Sequence, residues 1–124
     1  MSDLMPANVD IFEATSSSGK QISPTGEIAC LKGWAATRTG DPYDTEASLL
    51  LNFKSGGSGG TTIFSYEAPL DRGVTTTTHS GSPVQYMNVP GLGLQFDSGI
   101  YIDVVITATG GGVVDGFLIH TVYT

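Results

Sequence analysis

The residues of this chain that could do chemistry are few, and their spacing builds none of the familiar centres. The two histidines, His79 and His120, lie far apart in sequence, and neither has a Cys, Asp or Glu beside it at ligand spacing. A zinc site is therefore not expected. His120 shares the parity of Val114, Leu118 and Val122 in an apolar run, and reads as a hydrogen-bonded histidine at the edge of a core or at a contact. Asp41, Asp44 and Glu46 form the one compact carboxylate cluster. That loop offers hard oxygens to Ca²⁺ but lacks the other ligands and the central glycine of an EF-hand, so a solvated turn is the better reading. No metal and no cofactor is expected.

Nucleophilic and hydrolytic chemistry fare no better. The GGSGG segment at 56–60 lacks the Lys-Ser/Thr and following helix of a phosphate loop. Neither HSGS at 79–82 nor DSG at 97–99 is the Gly-x-Ser-x-Gly elbow. Twelve acidic residues allow many carboxylate pairs for glycoside hydrolysis without selecting one. No catalytic residue is assigned, and the chain is not expected to be an enzyme. Cys30 is the single cysteine, which rules out an internal disulfide, and it reads as a small buried apolar residue. The aromatics Trp34, Tyr43, Tyr66, Tyr86, Tyr101 and Tyr123 carry the remaining weight, because exposed aromatics on a β-sandwich grip sugars and protein partners. Core and interface packing is the stronger reading of them.

Composition narrows the classes further. A chain of 124 residues suits one domain with a real core. Its net charge of −7, with five scattered basic residues, disfavours phosphate and hence nucleic acid. With 14% charged residues, 40% hydrophobic ones and 17 glycines, the chain suits a turn-rich β protein whose surface is partly hidden in an assembly. No signal-peptide pattern opens the sequence, and no apolar run approaches the roughly 18 residues of a membrane span. Synthesis in a cytoplasm, solubility and no membrane partner are the expectations.

The elements that would position any site are strands. In Leu92–Val122, Ile100, Ile102, Val104 and Ile106 alternate with Tyr101, Asp103, Val105 and Thr107, the period of a half-buried strand. Val114, Leu118 and Val122 alternate against Val113, Phe117, Ile119 and Tyr123, so both faces of the last strand carry bulk and both should be covered. Gly110, Gly111 and Gly112 between them predict a hairpin. Upstream, Ala47, Leu49, Leu51 and Phe53 share one face of 46–54, leaving Leu50 as an apolar residue on a polar one. Further strands are expected at 7–13 as an edge, at 27–37 with a change of face near Lys32 at a bulge, at 62–66 and at 84–89. A short edge strand is possible at 74–78. The segments 15–26 and 55–61 read as loops, the second a flexible one. Residues 1–13 form an N-terminal arm or edge strand, and 14–124 a single domain. About eight short strands without helical periodicity predict an all-β fold, an antiparallel β-sandwich of jelly-roll type, with an up-and-down barrel as the alternative.

The C-terminal third, VPGLGLQFDSGIYIDVVITATGGGVVDGFLIHTVYT, resembles small β-sandwich virion proteins of tailed bacteriophages. The pattern is a proline-glycine entry, Gly-Leu then Phe, a Ser-Gly-Ile-Tyr-Ile-Asp-Val strand and a final strand containing aromatics. Upstream, TGEIACLKGW, LLLNFK, a glycine-rich loop and TTIFSY are similar in layout. The resemblance implies a capsid decoration or cement protein on the virion surface, with the major capsid protein as partner and homotrimers as the common state. Tail, neck or fibre-base components are the less common alternative, and a carbohydrate-binding module for host adhesion is a rival suggested by the aromatics. Leu50, Val113, Phe117, Ile119, Tyr123 and Trp34 are the expected interface residues, since a small sandwich does not readily bury so much apolar surface. The arm at 1–13 is expected to reach neighbouring subunits.

Overall fold

The computed structural model describes residues 7–14, 16–38, 46–68, 84–109 and 117–124. Among them there is no helix, and nine strands form two antiparallel sheets. One sheet runs β1 (Asn8–Ala14), β9 (Phe117–Tyr123), β3 (Ala29–Arg38), β6 (Val84–Asn88), with β7 (Leu94–Phe96) sharing the far edge of β3. The other runs β2 (Ser18–Gln21), β8 (Ile100–Thr109), β4 (Glu46–Ser55), β5 (Thr61–Ala68). This is the expected antiparallel β-sandwich. In an up-and-down barrel each strand pairs with the next; here, among the described strands, only β4 and β5 do so.

The expected hairpin across Gly110–Gly112 does not exist. β8 pairs with β2 and β4 in one sheet, while β9 pairs with β1 and β3 in the other, and residues 110–116 lie outside the described ones. Alternation marks a strand with a core side but does not name its partner, and glycines permit a crossover as readily as a hairpin. The true hairpin joins β4 to β5 through GGSGG. Gly56 has φ 107°, the Gly60 amide donates to the Gly57 carbonyl at 2.9 Å, and the Gly56 amide reaches the Gly99 carbonyl at 3.3 Å. A Cβ on Gly60 would overlap the Ser55 carbonyl. The segment read as a flexible loop is therefore a hydrogen-bonded turn that requires glycine at that position.

β2, SGKQ, lay unseen within the segment read as a loop. It forms because β8 supplies a ladder from Ser18↔Val104 to Gln21↔Tyr101, and a polar edge strand needs no apolar face of its own. The Tyr101 ring lies over Gly19, so a side chain there would have to displace that tyrosine. The edge strands β1 and β2 are joined by Lys20 Nζ, which donates to Asp10 at 2.9 Å and sits 5.3 Å from the Phe12 ring centroid.

The core lies between the sheets. Leu49, Leu51 and Phe53 of β4 and Ile100, Ile102 and Val104 of β8 are fully buried, as the alternation predicts, while Ile106 is only partly covered. They meet Leu31, Trp34 and Ala36 of β3, Phe96 of β7, and Phe117 and Ile119 of β9. Each large side chain withdrawn from water contributes about 1.5–3 kcal/mol. The expected bulge is present between Leu31 and Gly33. It turns Trp34 inward, where its ring centroid lies 5.0 Å from that of Tyr66 and 6.4 Å from that of Phe53.

Two groups in this core are anomalous. Trp34 and Thr121 are register partners, and Trp34 Nε1 and Thr121 Oγ1 are buried without a hydrogen-bond partner. A buried hydroxyl lacking a partner lowers stability by about 1–3 kcal/mol. Thr121→Val, nearly equal in shape, is expected to raise stability by about 1 kcal/mol with an unchanged urea m-value; a clear loss would mean that the hydroxyl is satisfied.

One end of the sandwich is closed by polar bonds. The Gln21 side-chain amide donates to the carbonyls of Ser23 (2.7 Å), Gly56 (3.0 Å) and Ile100 (3.2 Å). The buried Ser23 hydroxyl accepts from the Ile100 amide at 2.8 Å. Gly99 sits against them at φ 86°, where a Cβ would overlap the Pro24 carbonyl oxygen. Gly99→Ala is expected to lower stability by about 1–3 kcal/mol, through left-handed backbone strain and that overlap. Thermal unfolding measures it, and an unchanged midpoint would contradict the geometry.

Candidate interaction face

The two outer faces of the sandwich differ in chemistry. On the four-stranded sheet, Asn52 sits between Ser65, whose hydroxyl donates to Oδ1 at 2.6 Å, and Asp103, which accepts from Nδ2 at 3.4 Å. Leu50 lies beside Val105 and Glu67 in register. This face is mainly polar, its apolar residues being Leu50 with Val105 and, on β5, Ile63, which is 42% exposed.

The outer face of the five-stranded sheet is the more apolar of the two. Registers set its side chains in three rows: Val9, Val122, Gly33 and Asn88; Ile11, His120, Ala35 and Tyr86; Glu13, Leu118 and Thr37. Val9, Ile11 and Tyr86 are 59%, 53% and 71% exposed, and Leu118, His120 and Val122 are half-buried. Gly33 and Ala35 are small, so the face dips between the Val122–His120 ridge and the Tyr86–Asn88 ridge. The resulting open trough measures about 360 Å³, with Lys32 at its margin. Lys32 Nζ is held by the Gly91 carbonyl at 2.8 Å.

The residues expected at the interface do not form one patch. Phe117, Ile119 and Trp34 are 0%, 0% and 3% exposed, so they belong to the molecule's own core and cannot meet a partner. Leu50 is half-buried on the opposite, polar face. Tyr123 is half-buried, and its hydroxyl donates to the Ile22 carbonyl at 3.2 Å. Val113 lies outside the described residues, as do Asp41, Asp44, Tyr43, His79 and the possible strand at 74–78. The bulky faces of β9 were assigned in reverse: the Phe117/Ile119 parity packs inward, and Leu118, His120 and Val122 point outward. Cys30 also departs from expectation, being half-buried, with its backbone paired to Thr124 at 3.0 Å. Residues 8–13 are tied into β1 against β9 and are not free to extend as an arm.

Tyr86 was among the aromatics weighed as binding residues, but Val9, Ile11, Gly33 and Ala35 were not singled out from sequence. The weak alternation of Val9 and Ile11 was the available signal, because apolar residues facing outward on an edge strand ask for a cover. Among the described residues, no three His, Cys, Asp or Glu side chains gather to hold a metal, and no helix is long and apolar enough to cross a membrane.

No family model matches the chain, and no curated protein matches it. Among solved structures, it is similar to the VP2 subviral particle of infectious bursal disease virus, with 16% identity, a TM-score of 0.38, and coverage of 93% of this chain and 32% of that one. It is likewise similar to a chain of the T13 particle of infectious bursal disease virus, with 16% identity, a TM-score of 0.37, and coverage of 93% and 31%. The chain thus spans about a third of the length of these structures. At TM-scores below 0.5 such likenesses carry no weight for function, which rests on the geometry of the faces.

Proposed function

We propose that this protein is a non-enzymatic structural component of a bacteriophage virion, a decoration or cement protein that binds the major capsid protein lattice and stiffens the head. The observation that carries this reading is the unequal pair of outer faces, one mainly polar and one more apolar, on a small acidic sandwich. An apolar face of this extent supports a role in an assembly that covers it. The strand order supports a jelly roll: β1, β9, β3 and β6 interleave with β2, β8, β4 and β5, and all but two sequential connections cross between sheets. The virion-like segment at 90–124 supplies β7, β8 and β9, which includes a central strand of each sheet. Self-association belongs to this reading, with the homotrimer as the state that the resemblance implies.

Mass spectrometry of purified particles tests it. Copies in the hundreds per particle are expected for decoration of the capsid surface; a few copies would assign the protein to a neck, tail or fibre base. Absence from particles would overturn the structural reading. Carbohydrate binding for host adhesion is the rival, favoured among the described residues by the exposed Tyr86, since Trp34 is buried and Tyr101 is laid over Gly19. A glycan-array signal abolished by Tyr86→Ala would establish that rival instead.

A further inference from the structure

We propose that the outer face of the five-stranded sheet is a two-fold contact with a second copy of this chain, in which each Tyr86 seats in the other copy's trough over Gly33 and Ala35. The contact deepens the structural reading above, and rests on it only for the use to which the pair is put.

Shape comes first. Tyr86 stands 71% exposed beside a hollow floored by Gly33 and Ala35 and walled by His120 and Val122. A ridge lying beside a hollow is self-complementary under two-fold rotation, because residue i then meets j while j meets i. Gly33 cannot be enlarged freely, since a Cβ there would come within 3.0 Å of the Met87 carbonyl; the hollow is built into the β3–β6 pairing.

Charge selects the occupant. The chain carries net charge −7, yet the outward positions of β9, β3 and β6 among the described residues hold no carboxylate; Glu13, on β1, is at the margin. Asp103 and Glu67 lie on the opposite sheet. Two acidic chains can meet through this face without desolvating like charges, whereas a cationic partner would be drawn to the acidic surface elsewhere.

Area sets the strength. Four strands about 4.8 Å apart and seven residues at about 3.4 Å each give a flat footprint of about 450 Å². Stable interfaces cover about 800 Å² of accessible surface per partner, and weak ones less. The pair should therefore be weak and reversible. One flat face is used up by one partner, so this contact gives a dimer in place of the trimer that the resemblance implies, and leaves the capsid lattice to the remaining surfaces.

Analytical ultracentrifugation of the intact chain over a range of concentrations decides the matter. A reversible monomer–dimer equilibrium is expected, tightening as salt rises from about 0.05 M to about 0.5 M, because screening relieves the repulsion between the two acidic bodies. Tyr86→Ser should weaken it by at least about tenfold, with circular dichroism and melting unchanged, and Leu50→Ser on the other face should leave it intact. A monomer at every concentration, a trimer, or a dimer sensitive to Leu50→Ser and not to Tyr86→Ser would overturn the contact. A Tyr86-dependent dimer missing from particles would refute the virion reading alone; a monomer bound to particles would refute the contact alone.

Discussion

Val104→Asp is expected to remove a large share of the chain's stability at neutral pH. Val104 is fully buried, and β8 is held on both sides there, by Leu51 of β4 and Ser18 of β2 in register. The variant either buries an unpaired carboxylate or drives its pKa upward until it is neutral, and both routes cost free energy. The expected loss is about 4 kcal/mol or more, set against a total stability of about 5–15 kcal/mol for a domain of this kind. Because the folded state would raise the carboxyl's pKa, the deficit should be smallest below about pH 4 and grow as pH rises. Urea unfolding followed by circular dichroism measures this; a wild-type transition at pH 7 would show that β8 does not present Val104 to the core.

The second large effect contrasts two neighbours. Phe117→Ala should cost about 3–5 kcal/mol, because a fully buried aromatic leaves a cavity that the packed sheets cannot close. Leu118→Ala, one residue along and on the outer face, should cost no more than about 1 kcal/mol in the monomer and act instead on self-association. By the same geometry, Phe117→Asp reports unfolding and not a broken interface. Denaturant midpoints of the two alanine variants at low protein concentration test the pair. Equal losses, or a larger one at Leu118, would mean that β9 is turned over.

That β9 could be read either way explains much of what was legible. In β4 and β8 one parity is apolar and the other polar or mixed, so period 2 gave both the strands and the side that is buried. In β9 both parities are apolar: Phe117 and Ile119 against Leu118 and Val122. Alternation then shows that both faces want cover, but only packing against Trp34 and Ala36 decides which cover is internal. The β3 bulge was visible as a change of parity around Lys32, although Trp34's inward turn depends on where the extra residue falls. β2 was invisible because its stability comes from the β8 ladder and not from its own side chains. The hairpin error at Gly110–Gly112 has the same root, since two adjacent strands of strong pattern need not be partners. The interaction face combines Tyr86, Ala35, His120 and Ile11 from four strands, a juxtaposition created by register alone.

The most direct test of the apolar face as the surface through which this protein assembles is hydroxyl-radical footprinting of the intact chain at low and high protein concentration, read by mass spectrometry. Oxidation of Tyr86, Val9 and Ile11 should fall together as concentration rises, while Leu50 and Tyr101 on the opposite sheet remain equally reactive. Protection confined to Leu50 and Tyr101, or no change at Tyr86 under conditions where the protein self-associates, would contradict it.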